Sequence, residues 1–197
     1  EVWTHHRAIA IHVRDDAVCG VRARDMLTGE EREIACDWVV NAAGGWAEGV
    51  AALAGVPLKL VLSKGTMIVA NHRWCNHVLN RCRYPTDGDI LVPAKQVCIV
   101  GTTALTVPQP EALGIEPHEV HEMVVAGDEL VPGFRGARLL RAYAGVRPLY
   151  QESDEQSVDT RDVTRGYVVL DHEACDGVAR LISVVGGKLT TYRRMAE

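Results

Sequence analysis

The chain has 197 residues, of which 47% are hydrophobic and 24% charged, and its formal net charge is −5. This composition is typical of a globular protein with a substantial core, and the mild acidity argues against a nucleic-acid-binding protein. No apolar run approaches the ~18 residues that a membrane-spanning helix needs. The six cysteines are widely spaced without a C-x-x-C pair, which predicts reduced thiols and argues against a zinc site or a redox dithiol.

The first 62 residues predict a β-meander followed by a strand with a glycine-rich exit. Residues 2–36 alternate short β-type runs with turn signals, which is typical of a small antiparallel meander. An apolar run at 38–42 then ends in Ala43, Gly44 and Gly45, before a helical pattern. This order predicts a fully buried strand whose small-residue exit lets a ligand approach the backbone. A strand and turn without a ligand is the simpler interpretation of this stretch alone.

The middle of the chain predicts an antiparallel sheet with at least one helix. The predicted elements are a β-rich run at 58–69, a hairpin of residues 90–92 and 97–101, and a helix from Pro117 to about Leu130. Within the first of these runs, Lys64 and Gly65 indicate a bulge or the close approach of another group.

Two histidines of the predicted helix, His118 and His121, have a spacing that metal sites use. Glu119 and Glu122 alternate with them, and the sequence signals no third ligand. We therefore predict a solvated helix face and no metal site.

Residues 139–147 predict a strand with two chemically different faces. Alternation places one set on the first face, Arg141, Tyr143 and Arg147, and the other set on the second face, Leu140, Ala142, Ala144 and Val146. The second face is expected to pack, while the first is either a binding face or an ordinary solvated surface. Pro148 is expected to end the strand, and the acidic stretch at 151–162 to form a mobile loop.

The end of the chain predicts a strand that turns sharply into a helix. Residues 167–170 and 181–185 are expected to pair as a hairpin around a turn at 173–177. Gly186, Gly187 and Lys188 follow, and then a helical run. Glycines at such a corner let the backbone approach a flat or anionic ligand, and a helix N-terminus favours negative charge. A tight turn without a ligand is the alternative.

The string of residues 184–197 resembles the flavin-contacting C-terminal segment of FAD-dependent glycerol-3-phosphate dehydrogenases. Three further stretches agree with that family in the same order, at 39–46, 141–149 and 163–166. The blocks at 76–83 and 89–93 are most similar to one of the subunits in its anaerobic, quinone-linked branch.

The resemblance implies a mixed α+β and α/β fold. Residues 1–62 and 166–197 would form an incomplete FAD-binding domain of the glutathione-reductase type, and residues 63–165 a substrate domain with an antiparallel sheet. The implied activity is oxidation of glycerol 3-phosphate to dihydroxyacetone phosphate, with electrons passing through FAD to a quinone or to partner subunits. The implied location is the cytoplasm, with peripheral association at the inner face of the cell membrane.

The resemblance also implies roles for individual residues. Arg147, Arg165 and Tyr143 would contact the substrate, and Lys188 would lie between flavin and substrate. These groups would line one cleft. The residues that correspond to FAD contacts in the family are Ala8, Ala43, Gly44, Trp46, Gly186, Gly187, Lys188, Leu189 and Thr190.

Two departures from the family pattern affect the expected chemistry. Met67 stands where the aerobic branch has a histidine, so another group must accept the substrate proton, and we assign this role to His77. The G-x-G-x-x-G turn that holds the diphosphate in this family does not occur in the sequence. We therefore expect the chain to be a fragment that is inactive alone and binds FAD poorly. Flavin retained in a stoichiometric amount by the purified chain would refute this expectation.

Three alternatives to the dehydrogenase interpretation stay open at this point. The first is a glycerol-3-phosphate oxidase, which passes electrons to oxygen, and the second is a related flavin oxidase of amino or hydroxy acids. The third is a non-catalytic interaction module that kept the fold and lost the cofactor.

Overall fold

The computed structural model describes residues 1–84, 86–150 and 166–197, and the chain divides into two compact units. Among the described residues, the first unit contains Glu1–Leu60 together with 148–150 and 166–197, and the second unit contains Val61–Arg147. These units are defined by compactness alone. The functional division into FAD-binding and substrate domains at residues 62 and 165 stays a prediction.

The described strands are β1 His6–Arg14, β2 Ala17–Asp25, β3 Glu31–Ala35, β4 Val39–Asn41, β5 Leu60–Asn71, β6 Leu79–Asn80, β7 Ile90–Ala94, β8 Val97–Gly101, β9 Leu105–Thr106, β10 Leu139–Tyr150, β11 Tyr167–Asp171 and β12 Leu181–Gly186. The described α-helices are α1 Ala47–Ala52, α2 Pro117–Leu130, α3 His172–Asp176 and α4 Tyr192–Ala196. Short 3-10 turns occupy Gly44–Trp46, Phe134–Gly136 and Leu189–Thr191.

The first unit contains two three-stranded sheets. Strands β1, β2 and β3 pair antiparallel in that order, which confirms the predicted meander. In the other sheet, β12 lies between β11 and β4, pairing antiparallel with β11 and parallel with β4. A parallel bridge between Ala17 and Ala179 connects the meander to the segment before β12.

The predicted hairpin of β11 and β12 is confirmed, but the predicted turn between them is wrong. This segment begins with the short helix α3, because the Asp171 side chain accepts a hydrogen bond from the Glu173 amide at the helix start. Gly177, with φ of 75°, ends the helix in the left-handed conformation that glycine adopts readily. A five-residue helix is too short to leave a periodic signal in the sequence.

Strand β4 was predicted to be fully buried, and this is wrong for the described structure. Asn41 is buried, whereas Val40 is 61% exposed and the preceding Trp38 is 54% exposed. Because side chains alternate along a strand, Val40 and Trp38 lie on the face opposite to Asn41, and their exposure shows that the described residues leave this face uncovered.

The second unit is built on a six-stranded sheet in the order β10-β5-β8-β7-β6, with β9 also paired to β5. The hairpin of β7 and β8 and the helix α2 confirm the predicted elements. Helix α2 contacts β8 and encloses a core whose buried residues are Ile68, Ala70, Leu91, Cys98, Val100, Met123 and Phe134. Gly127 lets the Phe134 ring pack against the helix, because a Cβ there would lie 2.6 Å from its Cε1.

Two predictions about β10 are wrong. The strand continues through Pro148 to Tyr150, because on the end strand of the described sheet the missing N–H of a proline can face away from the neighbouring strand. The apolar face is not packed at its start, since Leu140 is 51% exposed. The predicted mobile loop at 151–162 lies outside the described residues.

The six cysteines, all within the described residues, form no disulfide. Across the described ranges, no helix combines the length and the apolar character needed to cross a membrane.

Candidate active site

In the first unit, the ends of β4 and β12 lie at the same edge of the sheet. The two strands run parallel, with Asn41 of β4 beside Ser183 of β12. Their carboxyl ends therefore lead side by side into the 3-10 turn Gly44–Trp46 and into the Gly186–Gly187 corner, and β12 contacts that 3-10 turn. Sheets of this kind bind ligands outside the carboxyl ends of parallel strands. The edge thus brings together two of the predicted cofactor-binding segments.

A buried polar chain holds the exit of β4 in place. Asn41 donates from Nδ2 to the Ala47 carbonyl at 2.8 Å and to Ser183 Oγ at 3.1 Å, and its Oδ1 accepts from the Ala43 amide at 3.3 Å. Behind it, His172 Nε2 lies 2.8 Å from Ser183 Oγ, and His172 Nδ1 lies 2.7 Å from Asp176 Oδ2. This chain ties the turn into α1 to the neighbouring strand and to α3.

The Gly186–Gly187 corner requires glycine at both positions. Their φ angles are 74° and 78°, in the left-handed region where a side chain is strained. A Cβ on Gly187 would also lie 2.6 Å from Met195 Sδ, and its amide donates to the Gly166 carbonyl at 2.9 Å. The predicted sharp turn from strand to helical run is confirmed.

A helical run begins directly after this corner. Thr191 caps it, because its Oγ1 accepts from the Lys188 amide at 3.1 Å and its own amide donates to the Lys188 carbonyl at 2.9 Å. A 3-10 turn and then α4 follow in this run. Lys188 places a positive charge at its start, beside the glycine corner.

The residues at this edge fit part of an FAD molecule. Gly44 has φ of 58°, and no atom of the described residues lies within 4 Å of a Cβ placed there, so its backbone is open to a ligand. Leu189 is 88% exposed and Trp46 56% exposed, and Lys188 and Thr190 are exposed beside them along the chain. Apolar surfaces, open backbone and a cation match a flat, partly anionic cofactor. Ala8, the remaining predicted contact, is half-buried in β1 of the meander.

In the second unit, the guanidinium of Arg147 lies against the backbone of Gly65. A Cβ on Gly65 would lie 2.8 Å from Nη1 and 2.9 Å from Cζ of Arg147, so only glycine leaves room for this side chain. Arg147 donates from Nη2 to Thr102 Oγ1 and from Nη1 to the Thr103 carbonyl at 3.5 Å. The close approach predicted at Lys64 and Gly65 is confirmed, and the approaching group is Arg147.

Beside Gly65, Lys64 of β5 forms an ion pair with Glu119 of α2 that sequence reasoning missed. Lys64 Nζ lies 2.8 Å from Glu119 Oε2, and the two residues are 5% and 0% exposed. Thr66 Oγ1 donates to Glu119 Oε1 at 2.6 Å, and the Glu116 amide donates to Oε2 at 2.9 Å. The prediction that Glu119 belongs to a solvated face is wrong, because it lies one turn before Met123 on the buried face of α2.

The surroundings of Glu119 keep its carboxylate ionised. Burial alone would raise its pKa, but the hydrogen bonds from the Glu116 amide, Lys64 and Thr66, together with the charge of Lys64, outweigh burial. They lower the pKa from 4.5 to about 2. His118 and His121 are exposed, as predicted.

The other predicted site residues of the second unit are more exposed. The Arg141 guanidinium lies 5.2 Å from the centroid of the Tyr143 ring, which places these two side chains on one face of β10 as predicted. His77 is exposed in the loop before β6, and its carbonyl accepts from the Cys75 thiol at 3.1 Å. Met67 packs against Gly101, since a Cβ on Gly101 would lie 2.6 Å from the Met67 Cγ. Arg165 lies outside the described residues.

A separate open cavity of about 360 Å³ lies beside α2, lined by Arg81, Arg83 and His121 among others. Its arginines are already paired, Arg81 with Glu129 at 2.7 Å and Arg83 with Asp89 at 3.4 Å. No cluster of three or more histidine, cysteine or carboxylate side chains suited to a metal ion occurs in the part of the chain that is described.

Comparison with known proteins identifies the family of this chain. A family model described as FAD dependent oxidoreductase matches residues 1–193. The chain is 44% identical to a subunit of the anaerobic glycerol-3-phosphate dehydrogenase of Haemophilus influenzae, over 91% of this chain and 32% of that protein. It is 41% identical to the protein of the same name from Escherichia coli (strain K12), over 100% of this chain and 36% of that protein. The chain thus spans about a third of the length of these curated relatives.

Among solved structures, the chain is similar to glycerol-3-phosphate dehydrogenase of Bacillus halodurans complexed with FAD. The TM-score is 0.72 and the identity 26%, over 98% of this chain and 37% of that one. These matches confirm both the resemblance drawn from the sequence and the mixed α+β class. Because the family model covers nearly the whole sequence, the chain belongs to the family of FAD dependent oxidoreductases.

Proposed function

We propose that the whole protein to which this chain belongs oxidises sn-glycerol 3-phosphate to dihydroxyacetone phosphate, with FAD as its cofactor and a quinone as electron acceptor. The observation that carries the proposal is the identity of 41% and 44% to two proteins named as the same subunit of anaerobic glycerol-3-phosphate dehydrogenase. The hydrogen-bonded arrangement of Arg147 supports it, because a fixed guanidinium suits a phosphate group.

We assign substrate binding to Arg147 of the second unit, together with Arg165 and Tyr143. Arg147 would engage the phosphate oxygens with its planar donors, which form paired hydrogen bonds with such groups. Arg165 is proposed as a second phosphate contact, and Tyr143 as a further substrate contact. A dianionic phosphate matches two guanidiniums better than a single carboxylate does, which favours a phosphorylated substrate over an amino acid.

Cofactor binding is assigned to the edge formed by β4 and β12. Ala43, Gly44 and Trp46 would hold one part of FAD, and the segment from Gly186 to Thr190 another, with Ala8 as a contact from the meander. When bound, FAD accepts the hydride that leaves the secondary carbon of the substrate. The Lys188 ammonium would stabilise the negative charge that develops beside it.

The oxidation also releases the hydroxyl proton of the substrate, which needs an acceptor. The thioether of Met67 does not accept a proton near neutral pH, so Met67 is unable to act as the proton acceptor. We assign the role to His77, whose imidazole is exposed and makes no hydrogen bond to any other described residue. Loss of the hydride and of this proton converts the alcohol into the ketone.

The relatives are named as subunits, which suggests that other chains take part. We propose that partner subunits pass the electrons to the quinone, and that the complex associates peripherally with the cytoplasmic face of the cell membrane. A quinone dissolves in the bilayer, so an enzyme that reduces it must reach the membrane surface.

The test is turnover of the purified whole protein with an artificial electron acceptor. We expect glycerol 3-phosphate to be oxidised, glycerol to be a poor substrate because it lacks the phosphate, and glycine to be inert. Fast turnover with oxygen and release of hydrogen peroxide would indicate the oxidase alternative instead. Oxidation of glycine or of hydroxy acids, or a protein without flavin and without turnover, would contradict the proposed reaction.

A further inference from the structure

A continuous set of hydrogen-bonded residues connects Arg147 with the buried Glu119 carboxylate. Strand β5 presents Gly65 to the guanidinium, and the neighbouring Lys64 and Thr66 reach Glu119 with their side chains. This alternation follows from the two-residue period of a strand. The strand therefore has the arginine on one side and the carboxylate on the other.

Thr103 connects the two sides. Its Oγ1 accepts from the Thr66 amide at 2.9 Å and lies 3.4 Å from Glu119 Oε1, to which the hydroxyl donates. Its carbonyl accepts from Arg147 Nη1, and the adjacent Thr102 Oγ1 accepts from Nη2. Thr66, Thr103 and Glu119 are all fully buried.

We propose that Glu119, Thr102 and Thr103 are positioning residues that fix the direction of the Arg147 guanidinium. This inference rests on the proposed function, in which Arg147 binds the substrate phosphate. Glu119 holds β5 and Thr103 together, and Thr102 and Thr103 orient two nitrogens of the arginine. None of the three needs to contact the substrate to affect its binding.

The physical advantage is preorganisation. An arginine side chain has many rotamers, and ordering it only when substrate arrives would weaken binding. A guanidinium already held by two oxygens against a glycine backbone avoids this loss. The carboxylate is suited to anchoring the arrangement because it is fully buried and accepts hydrogen bonds from both β5 and the start of α2.

The test uses the whole protein and a pair of substitutions at the connecting threonine. Thr103→Val keeps the shape and removes the hydroxyl, and Thr103→Ser restores it. We expect Thr103→Val to raise KM for glycerol 3-phosphate about tenfold, with a smaller change in kcat, because misplacing a binding group costs such factors. Thr103→Ser should stay near the unsubstituted protein. The exposed Thr106→Val in β9 is the matched control and should leave KM unchanged.

A double-mutant cycle separates positioning from general stability. In an Arg147→Ala background, we expect Thr103→Val to change KM by less than about twofold, because the group that it positions is gone. An equal rise in KM in both backgrounds would overturn the inference and indicate a purely structural role. If Thr103→Val fails to retain flavin, Thr102→Val enters the same cycle, since it removes only the oxygen that accepts from Arg147.

The two levels of the proposal fail in different ways. A loss of substrate affinity in Arg147→Ala, without any effect of the threonine substitutions, would overturn the positioning inference and leave the proposed function intact. Unchanged kinetics in Arg147→Ala would refute the phosphate-binding role itself, and the positioning inference with it.

Discussion

Replacing Glu119 by glutamine tests how the second unit is held together. Glutamine keeps the shape and still accepts hydrogen bonds from Thr66 and Thr103, but it removes the negative charge opposite Lys64. Lys64 is only 5% exposed, so its ammonium would stay buried without a counter-charge. Breaking a buried ion pair by removing one partner typically costs about 3–5 kcal/mol. We expect a loss of about 3 kcal/mol in the free energy of unfolding at pH 7.

The lowered pKa of Glu119 leads to a similar figure for all the interactions that stabilise its carboxylate, the Lys64 ion pair included. The folded state lowers this pKa from 4.5 to about 2, and each pKa unit corresponds to about 1.4 kcal/mol, which again gives about 3 kcal/mol. Because the folded pKa is the lower one, this stabilisation is fully present above pH 4.5 and is lost as the pH falls towards 2. The difference in stability between the unsubstituted protein and Glu119→Gln should therefore narrow on acidification.

Unfolding by guanidinium chloride at pH 7 and at several lower pH values measures the loss of stability and its dependence on pH. Glu122→Gln is the matched control, because Glu122 lies on the same helix and is exposed, so its loss should change the stability by less than about 0.5 kcal/mol. A Glu119→Gln protein as stable as this control would refute the reasoning. So would a stability difference that stays constant as the pH falls.

The remaining predictions concern two glycines. Gly65→Ala should raise KM for glycerol 3-phosphate about tenfold with little change in melting temperature, because the new Cβ displaces only the flexible end of Arg147. Unchanged kinetics would contradict this, and the exposed Gly136→Ala, with no described atom within 4 Å of the added Cβ, is the control. Gly187→Ala should lower flavin affinity and cost more than about 1 kcal/mol of stability, because it adds a steric clash to a strained φ of 78°. Gly177→Ala, strained in φ alone at 75°, should cost less, and an equal cost would refute the clash.

The fold was predictable where local signals agree. The bounds of α2 follow from Pro117 at its first turn and from its apolar spacing, and the hairpin of β7 and β8 follows from two apolar runs around a tight turn. The Gly186–Gly187 corner was predictable because only glycine adopts its backbone conformation readily. Helix α3 was not predictable, because it is too short to leave a periodic signal. The passage of β10 through Pro148 was not predictable either, because it depends on how the strand pairs with its neighbour.

The buried polar groups were harder to predict because their partners are distant in sequence. Asn41 and Ser183 are 142 residues apart, and Lys64 and Glu119 are 55 apart. A local pattern carries no information about such pairs. One signal was available, because Glu119 lies one helical turn before Met123 on the apolar face of α2 and Lys64 interrupts an apolar strand. A lysine and a glutamate that both occupy inward-facing positions are expected to form an ion pair with each other.

The most direct test of the account is glycerol 3-phosphate oxidation by the whole protein and its Arg147→Ala variant, with an artificial electron acceptor. Truncating a contact to a buried charge typically costs about 2 kcal/mol or more, so kcat/KM should fall at least ~30-fold. Arg165→Ala should behave similarly, whereas Arg141→Ala, on the exposed part of the same strand, should have little effect. Unchanged kinetics in Arg147→Ala would contradict the phosphate-binding role and remove the basis for the substrate assignment.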